Sequence, residues 1–119
     1  MQTDLANGKC EACSKNAILL SANKINELKD QIPSWIVYHD DEDDIQKLAC
    51  SFSFLNYKDS VEFANKIAKL ADEENHHPQI NLEWGKVTVI WWSHEIKGLH
   101  MNDFICAKKT DLLFGSDNK

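Results

Sequence analysis

Three histidines carry most of the chemistry this chain can do: His76 and His77 in tandem, closed by Pro78, and His94 further on. Imidazole titrates at about 6.5 when unperturbed, so clustered histidines can give and take protons near neutral pH. A metal site is the competing use. Adjacent histidines splayed by a proline are poorly shaped to chelate one ion, and only Asp72 or Asp103 is on offer as a fourth ligand. The expectation is an acid-base site with no metal. An adjacent pair at a helix end can also be a plain polar cap, so the elements that position it decide its meaning.

Those elements follow from the hydrophobic period. Ser21 is a good N-cap for a short helix over 21–30, with Ile25, Leu28 and Ile32 at helical spacing until Pro33 blocks continuation. Trp35 to His39 reads as a strand. After the acidic run Asp40-Asp41-Glu42-Asp43-Asp44, read as a solvated turn in a long loop, residues 47–54 alternate. Leu48, Cys50, Phe52 and Phe54 take one face, and Lys47, Ala49, Ser51 and Ser53 the other. From Asp59 to Asn75 the period turns helical, with Val61, Ala64, Ala68 and Ala71 in line. His76 and His77 thus come at a helix C-terminus, where the helix dipole favours a protonated ring and burial opposes it. Pro78 biases His77 toward extended backbone, which predicts that the two rings point in different directions.

Residues 80–84 and 87–93 read as two strands around a tight Gly85-Lys86 turn. Val87, Val89, Trp91 and Ser93 share one face, while Thr88, Ile90, Trp92 and His94 share the other. A last helix is expected over about 101–114. Two sequential hairpins among three helices predict an α+β fold: a four-stranded antiparallel sheet with three helices packed on one face. The other face would then need covering, which a partner chain can supply. The expected organisation is a polar N-terminal arm at 1–20, one domain at 21–114, and a tail at 115–119.

The formal net charge is -6, and all thirteen basic residues are Lys. Without arginine forks or a basic stripe, nucleic acid is excluded as a direct ligand. No apolar run approaches the roughly 20 residues that span a bilayer, so no membrane association and a cytoplasmic location are expected. Cys10 and Cys13 form one CxxC, but Cys50 and Cys106 stand apart from each other, so reduced thiols are expected rather than a zinc site.

Taken together, Asp72, His76-His77-Pro78, Trp84, His94 and Asp103 resemble the signature of the pterin-4a-carbinolamine dehydratases. The similarity runs from about Leu20 to Leu113, including Pro33-Ser34-Trp35 and Gly98-Leu99. Relatives often have Thr at the places of Ser93 and His100; the first change keeps a hydroxyl, and the second replaces a good N-cap with a poorer one. The resemblance implies dehydration of 4a-hydroxytetrahydropterin to quinonoid dihydropterin with neither metal nor organic cofactor. It also implies a homodimer or homotetramer and a functional link to phenylalanine hydroxylase.

On this resemblance His76 and His94 are the general acid and base, and His77 binds and orients the pterin. Asp72, one turn before His76, is expected to hydrogen-bond that ring and fix its tautomer. Asp103 is expected to cap the last helix, and His100 to be a surface or capping residue. Trp84 can flank a flat heterocycle, although an aromatic on a strand is more often core. A second function class exists in the same family, a non-enzymatic dimerisation cofactor for a transcription factor. It would need an exposed apolar helix face and no intact acid-base set.

Overall fold

The computed structural model describes residues 19–117. Ser21 caps α1 (Ala22–Lys29) as expected, its side chain accepting the Lys24 N–H at 3.2 Å. Ile25 and Leu28 turn inward from this helix. Beyond Pro33, Trp35 is buried and donates its indole N–H to Asp111 at 2.9 Å before β1 (Ile36–Asp40) begins.

Strand β2 (Ile45–Ser53) starts earlier than its alternation suggested, so the expected long loop shrinks to the four residues 41–44. Asp44 closes this turn at φ 60°, a left-handed conformation that Asp tolerates better than most residues. Helix α2 (Tyr57–Glu74) is capped by Asn56, whose side chain accepts the Asp59 N–H at 2.8 Å. Strands β3 (Gln79–Glu83) and β4 (Lys86–Trp91) flank a turn in which Gly85 has φ 71°. A Cβ there would also come within 3.1 Å of the Phe54 carbonyl, so both backbone angle and space call for glycine. Helix α3 (Met101–Asp117) outruns the sequence reading, and the first residues of the supposed tail are its last turn.

The sheet order is β1-β2-β4-β3 with every neighbour antiparallel. The α+β architecture is the one the pattern predicted. Leu48, Cys50 and Phe52 from β2 and Val87, Val89 and Trp91 from β4 face the helices, which contribute Ile25, Leu28, Phe63, Ile67 and Phe104 to one core. Phe52, Phe54, Phe63 and Phe114 meet edge-on or tilted, with centroids 4.9–5.7 Å apart. The outer sheet face is not simply solvated. Lys47 is only 4% exposed there, and Ile90 is also buried. Cys50 and Cys106 are buried, whereas Cys10 and Cys13 lie outside the described residues.

Candidate active site

The end of α2 decides where the tandem histidines go. Asn75 adopts the left-handed conformation at φ 51°, its N–H bonding the Asp72 carbonyl at 3.4 Å, and the His76 N–H reaches back to Ala71 O at 3.1 Å. This is the Schellman pattern, which reverses the chain at once. The reversal drives the His76 ring inward. It lies 2% exposed and stacks on Trp91, with centroids 5.5 Å apart and planes 15° from parallel.

Asp103 meets that ring from α3. Its Oδ1 stands 2.6 Å from His76 Nε2, and its Oδ2 accepts from Ser93 Oγ at 2.8 Å and from the His100 N–H at 2.9 Å. The last bond is the reciprocal arm of a capping box, with His100 as N-cap and its Nδ1 accepting the Asn102 N–H at 3.1 Å. Asp103 therefore does cap the helix, as expected, and also anchors His76. A carboxylate offers only acceptors, so His76 carries a proton on Nε2.

His77 turns the other way, which bears out the expected divergence of the two rings. Its side chain is exposed, and Nε2 stands 3.1 Å from Asp72 Oδ1. The expected Asp72–His76 bond is thus corrected: Asp72 orients His77 instead. His94, also exposed, donates from Nε2 to the His77 carbonyl at 3.2 Å. In the neutral form each exposed ring then keeps Nδ1 as a proton acceptor. Pro78 holds the preceding residue extended, which fixes the direction of the carbonyl that receives His94.

Trp84 is not core. It is 72% exposed in the β3–β4 turn, at the opposite end of that hairpin from His77 and His94. At about 3.3 Å per residue, the length of β3 separates it from them, so this chain does not bring Trp84 to its own histidines.

Two residues that the sequence reading did not single out adjoin the site. Trp92 lies 4.5 Å from the His94 ring, and Lys47 Nζ stands 4.2 Å above the Trp92 ring. The alternation that placed Trp92 and His94 on one face was the available signal. Among the described residues, no group of three or more His, Cys, Asp or Glu side chains is placed to hold a metal ion. Two clefts of about 440 and 430 Å³ lie elsewhere, one between α1 and β1 and the other along β2 and α3. None of the three histidines lines either. Among the described residues, no helix is long and apolar enough to cross a membrane.

Comparison with known proteins bears on this geometry. The sequence pattern of the family described as pterin 4 alpha carbinolamine dehydratase matches residues 18–113. A Vibrio cholerae protein named for pterin-4-alpha-carbinolamine dehydratase is 50% identical over 105 residues, covering 88% of this chain and 94% of its own. A Nitrosococcus oceani protein of the same name is 48% identical over 110 residues, covering 92% and 96%. A Brucella melitensis crystal structure described as a transcriptional coactivator/pterin dehydratase superposes with a TM-score of 0.72 at 22% identity, covering 82% of this chain and all of that one. A pterin dehydratase-like protein described as a RuBisCO assembly factor of the alpha-carboxysome gives 0.57 at 24% identity, covering 69% and 90%. Both structures share the fold.

Proposed function

The chain belongs to the pterin 4 alpha carbinolamine dehydratase family, and from that premise we propose that it is a hydro-lyase that removes water from a 4a-hydroxytetrahydropterin by histidine acid-base catalysis. The observation that carries the catalytic reading is that His94, an exposed ring, bonds the main-chain carbonyl of His77, whose own exposed ring is held by Asp72. Dehydration needs a proton delivered to the leaving 4a-oxygen and another removed from N5, so the total proton count of the pair is unchanged and the two rings, left with exchanged protonation states, reset through solvent. One exposed imidazole serves each transfer, and positioned groups of this kind typically contribute about 10²- to 10⁴-fold.

His76 belongs to the same catalytic set with a different part. The resemblance implies the acid or base role for His76, but its buried ring is locked between Asp103 and Trp91, so we assign it a supporting part and the transfer to His77. Asp72 holds His77, and Pro78 fixes the turn between that ring and β3. Trp84, on the far end of the hairpin, would reach a pterin only in an assembly, and a homodimer or homotetramer is the form we propose for the working enzyme. The proposed place of the reaction is the cytoplasmic recycling of tetrahydrobiopterin used by phenylalanine hydroxylase.

The test follows the decay of freshly generated 4a-hydroxytetrahydropterin by ultraviolet absorbance, with wild type, His77→Ala, His94→Ala and a chelator control. Acceleration that survives the chelator and falls at least 10-fold in folded His94→Ala is expected, about the lower range for a lost acid-base group. Decay at the spontaneous rate with wild type would sink the enzyme reading. The weight would then shift to a protein-binding role on this fold, such as a dimerisation cofactor.

A further inference from the structure

Lys47 is an unusual residue to find nearly covered on the outer face of a sheet, because burying an ammonium is unfavourable unless it is paired. Here Nζ bonds Asp40 Oδ2 at 2.8 Å and Asp43 Oδ2 at 2.6 Å. Burial works against the charge, yet the two carboxylates outweigh it and raise the Lys47 pKa. The same ammonium sits over the Trp92 indole, a cation–π contact that fixes the ring against the sheet. Trp92 in turn touches His94, two residues on and past the end of β4.

His94 needs such a support. The ladder of β4 ends at Trp91, and beyond it the Ser93–Gly98 bridge and the Ser93–Asp103 hydrogen bond pin the chain beside His94. An exposed histidine can occupy three staggered χ1 wells. One hydrogen bond to the His77 carbonyl is a slender hold for a ring that must meet a substrate within a fraction of an ångström.

Resting on the reading that His94 transfers a proton, we propose that Trp92, clamped by Lys47, is the positioning residue that holds the His94 ring in its working orientation. The acidic β1–β2 turn thereby becomes part of the site's framework. Its carboxylates hold Lys47, Lys47 holds Trp92, and Trp92 holds His94.

The test compares wild type, Trp92→Leu, Trp92→Phe, Lys47→Met and His94→Ala, each checked for cooperative unfolding. The readouts are kcat and KM for the dehydration and the carbon-bound ring proton resonances of His94. Trp92→Leu is expected to lower kcat by about 3- to 10-fold, as the ring spreads over its other wells, with KM changed less than about 2-fold. It should also shift the His94 resonances, by removing the neighbouring ring current. Trp92→Phe should recover most of the rate, and Lys47→Met should fall in the same direction as Trp92→Leu.

Wild-type kcat in both Trp92→Leu and Lys47→Met, beside an impaired His94→Ala, would overturn the positioning role and leave the dehydratase assignment standing. A rise in KM at unchanged kcat would also overturn it, because Trp92 would then be contacting substrate. Wild-type activity in His94→Ala would instead defeat the catalytic role of His94, and the positioning claim with it. Should Trp92→Leu fail to fold, Lys47→Met decides alone, since wild-type kcat and unmoved His94 resonances there refute the clamp.

Discussion

Replacing Asp103 by asparagine changes almost no volume, yet it should rewrite the protonation of His76. The carboxylate is fully buried and accepts three hydrogen bonds, one at Oδ1 and two at Oδ2. Asparagine offers one oxygen and one amide nitrogen. If the amide nitrogen took the Oδ2 position it would confront the His100 N–H, a backbone donor that cannot rotate away. Leaving such a donor unsatisfied costs about 1–3 kcal/mol. The oxygen therefore stays with Ser93 and His100, and the NH₂ faces His76 Nε2. That nitrogen must become an acceptor, and the ring proton moves to Nδ1.

The stability change is modest, because charge-assisted bonds weaken to neutral ones while the buried carboxylate disappears. A net loss of about 1–2 kcal/mol is expected. For a domain of this size that lowers Tm by about 4–16 °C. Asp103→Ala, which abandons all three donors, should lose about 3–5 kcal/mol, a large share of a typical domain's 5–15 kcal/mol. In folded Asp103→Asn the dehydration rate should fall by up to about 10-fold, because the buried His76 ring is then held in the other tautomer by weaker, neutral bonds. The assays are thermal unfolding, imidazole ¹⁵N shifts and the dehydration rate on the same samples. Wild-type Tm with the His76 proton still on Nε2 would refute the hydrogen-bond argument. Wild-type activity with the proton moved would refute the importance of the tautomer.

Three further outcomes are expected away from the histidine pair. Asp41 and Asp44 hold the His39 pKa above its ordinary 6.5, so their contribution to the turn is present below that value and lost as pH rises through the folded one. An NMR titration should place the His39 inflection above 6.5 and return it toward 6.5 in Asp41→Asn/Asp44→Asn; a wild-type inflection at 6.5 or lower contradicts this. Burial raises the Asp111 pKa, with Trp35 and Lys108 opposing, so the folded state binds this proton more tightly and stability falls as pH rises from the unfolded value to the folded one. Asp111→Asn keeps an acceptor for Trp35 and should melt no lower than wild type at pH 7, the comparison shifting toward wild type as pH drops to about 4; a clearly lower Tm at pH 7 counts against it. Burial, with Asp111 beside it, pushes the Cys50 thiol up to about 11. Iodoacetamide at pH 7.5 should leave Cys50 and Cys106 unmodified until the chain unfolds, and mass spectrometry of native protein with either one alkylated would show otherwise.

Periodicity made the elements and their order readable because each signal was local. Leu48, Cys50 and Phe52 alternate as a half-buried strand must, and Val87, Val89 and Trp91 do the same. The Asp72 partner was misread for a local reason too. Helical spacing points Asp72 at His76, but the helix ends at Glu74, and the left-handed Asn75 swings the fifth residue on, not the fourth, into reach. Trp84 fell just past β3, where a turn releases its side chain from the sheet. The Asp103–His76 bond and the Lys47–Trp92 contact join residues distant in sequence and brought together by packing alone. No propensity or spacing encodes them.

The acceptor for His94 is a main-chain oxygen, and that makes the bond holding this ring indifferent to what side chain stands at position 77. Substitutions there can reshape what the surface offers a ligand without dislodging its neighbour. That independence makes a double-mutant cycle between the two positions a clean measure of any cooperation through the substrate.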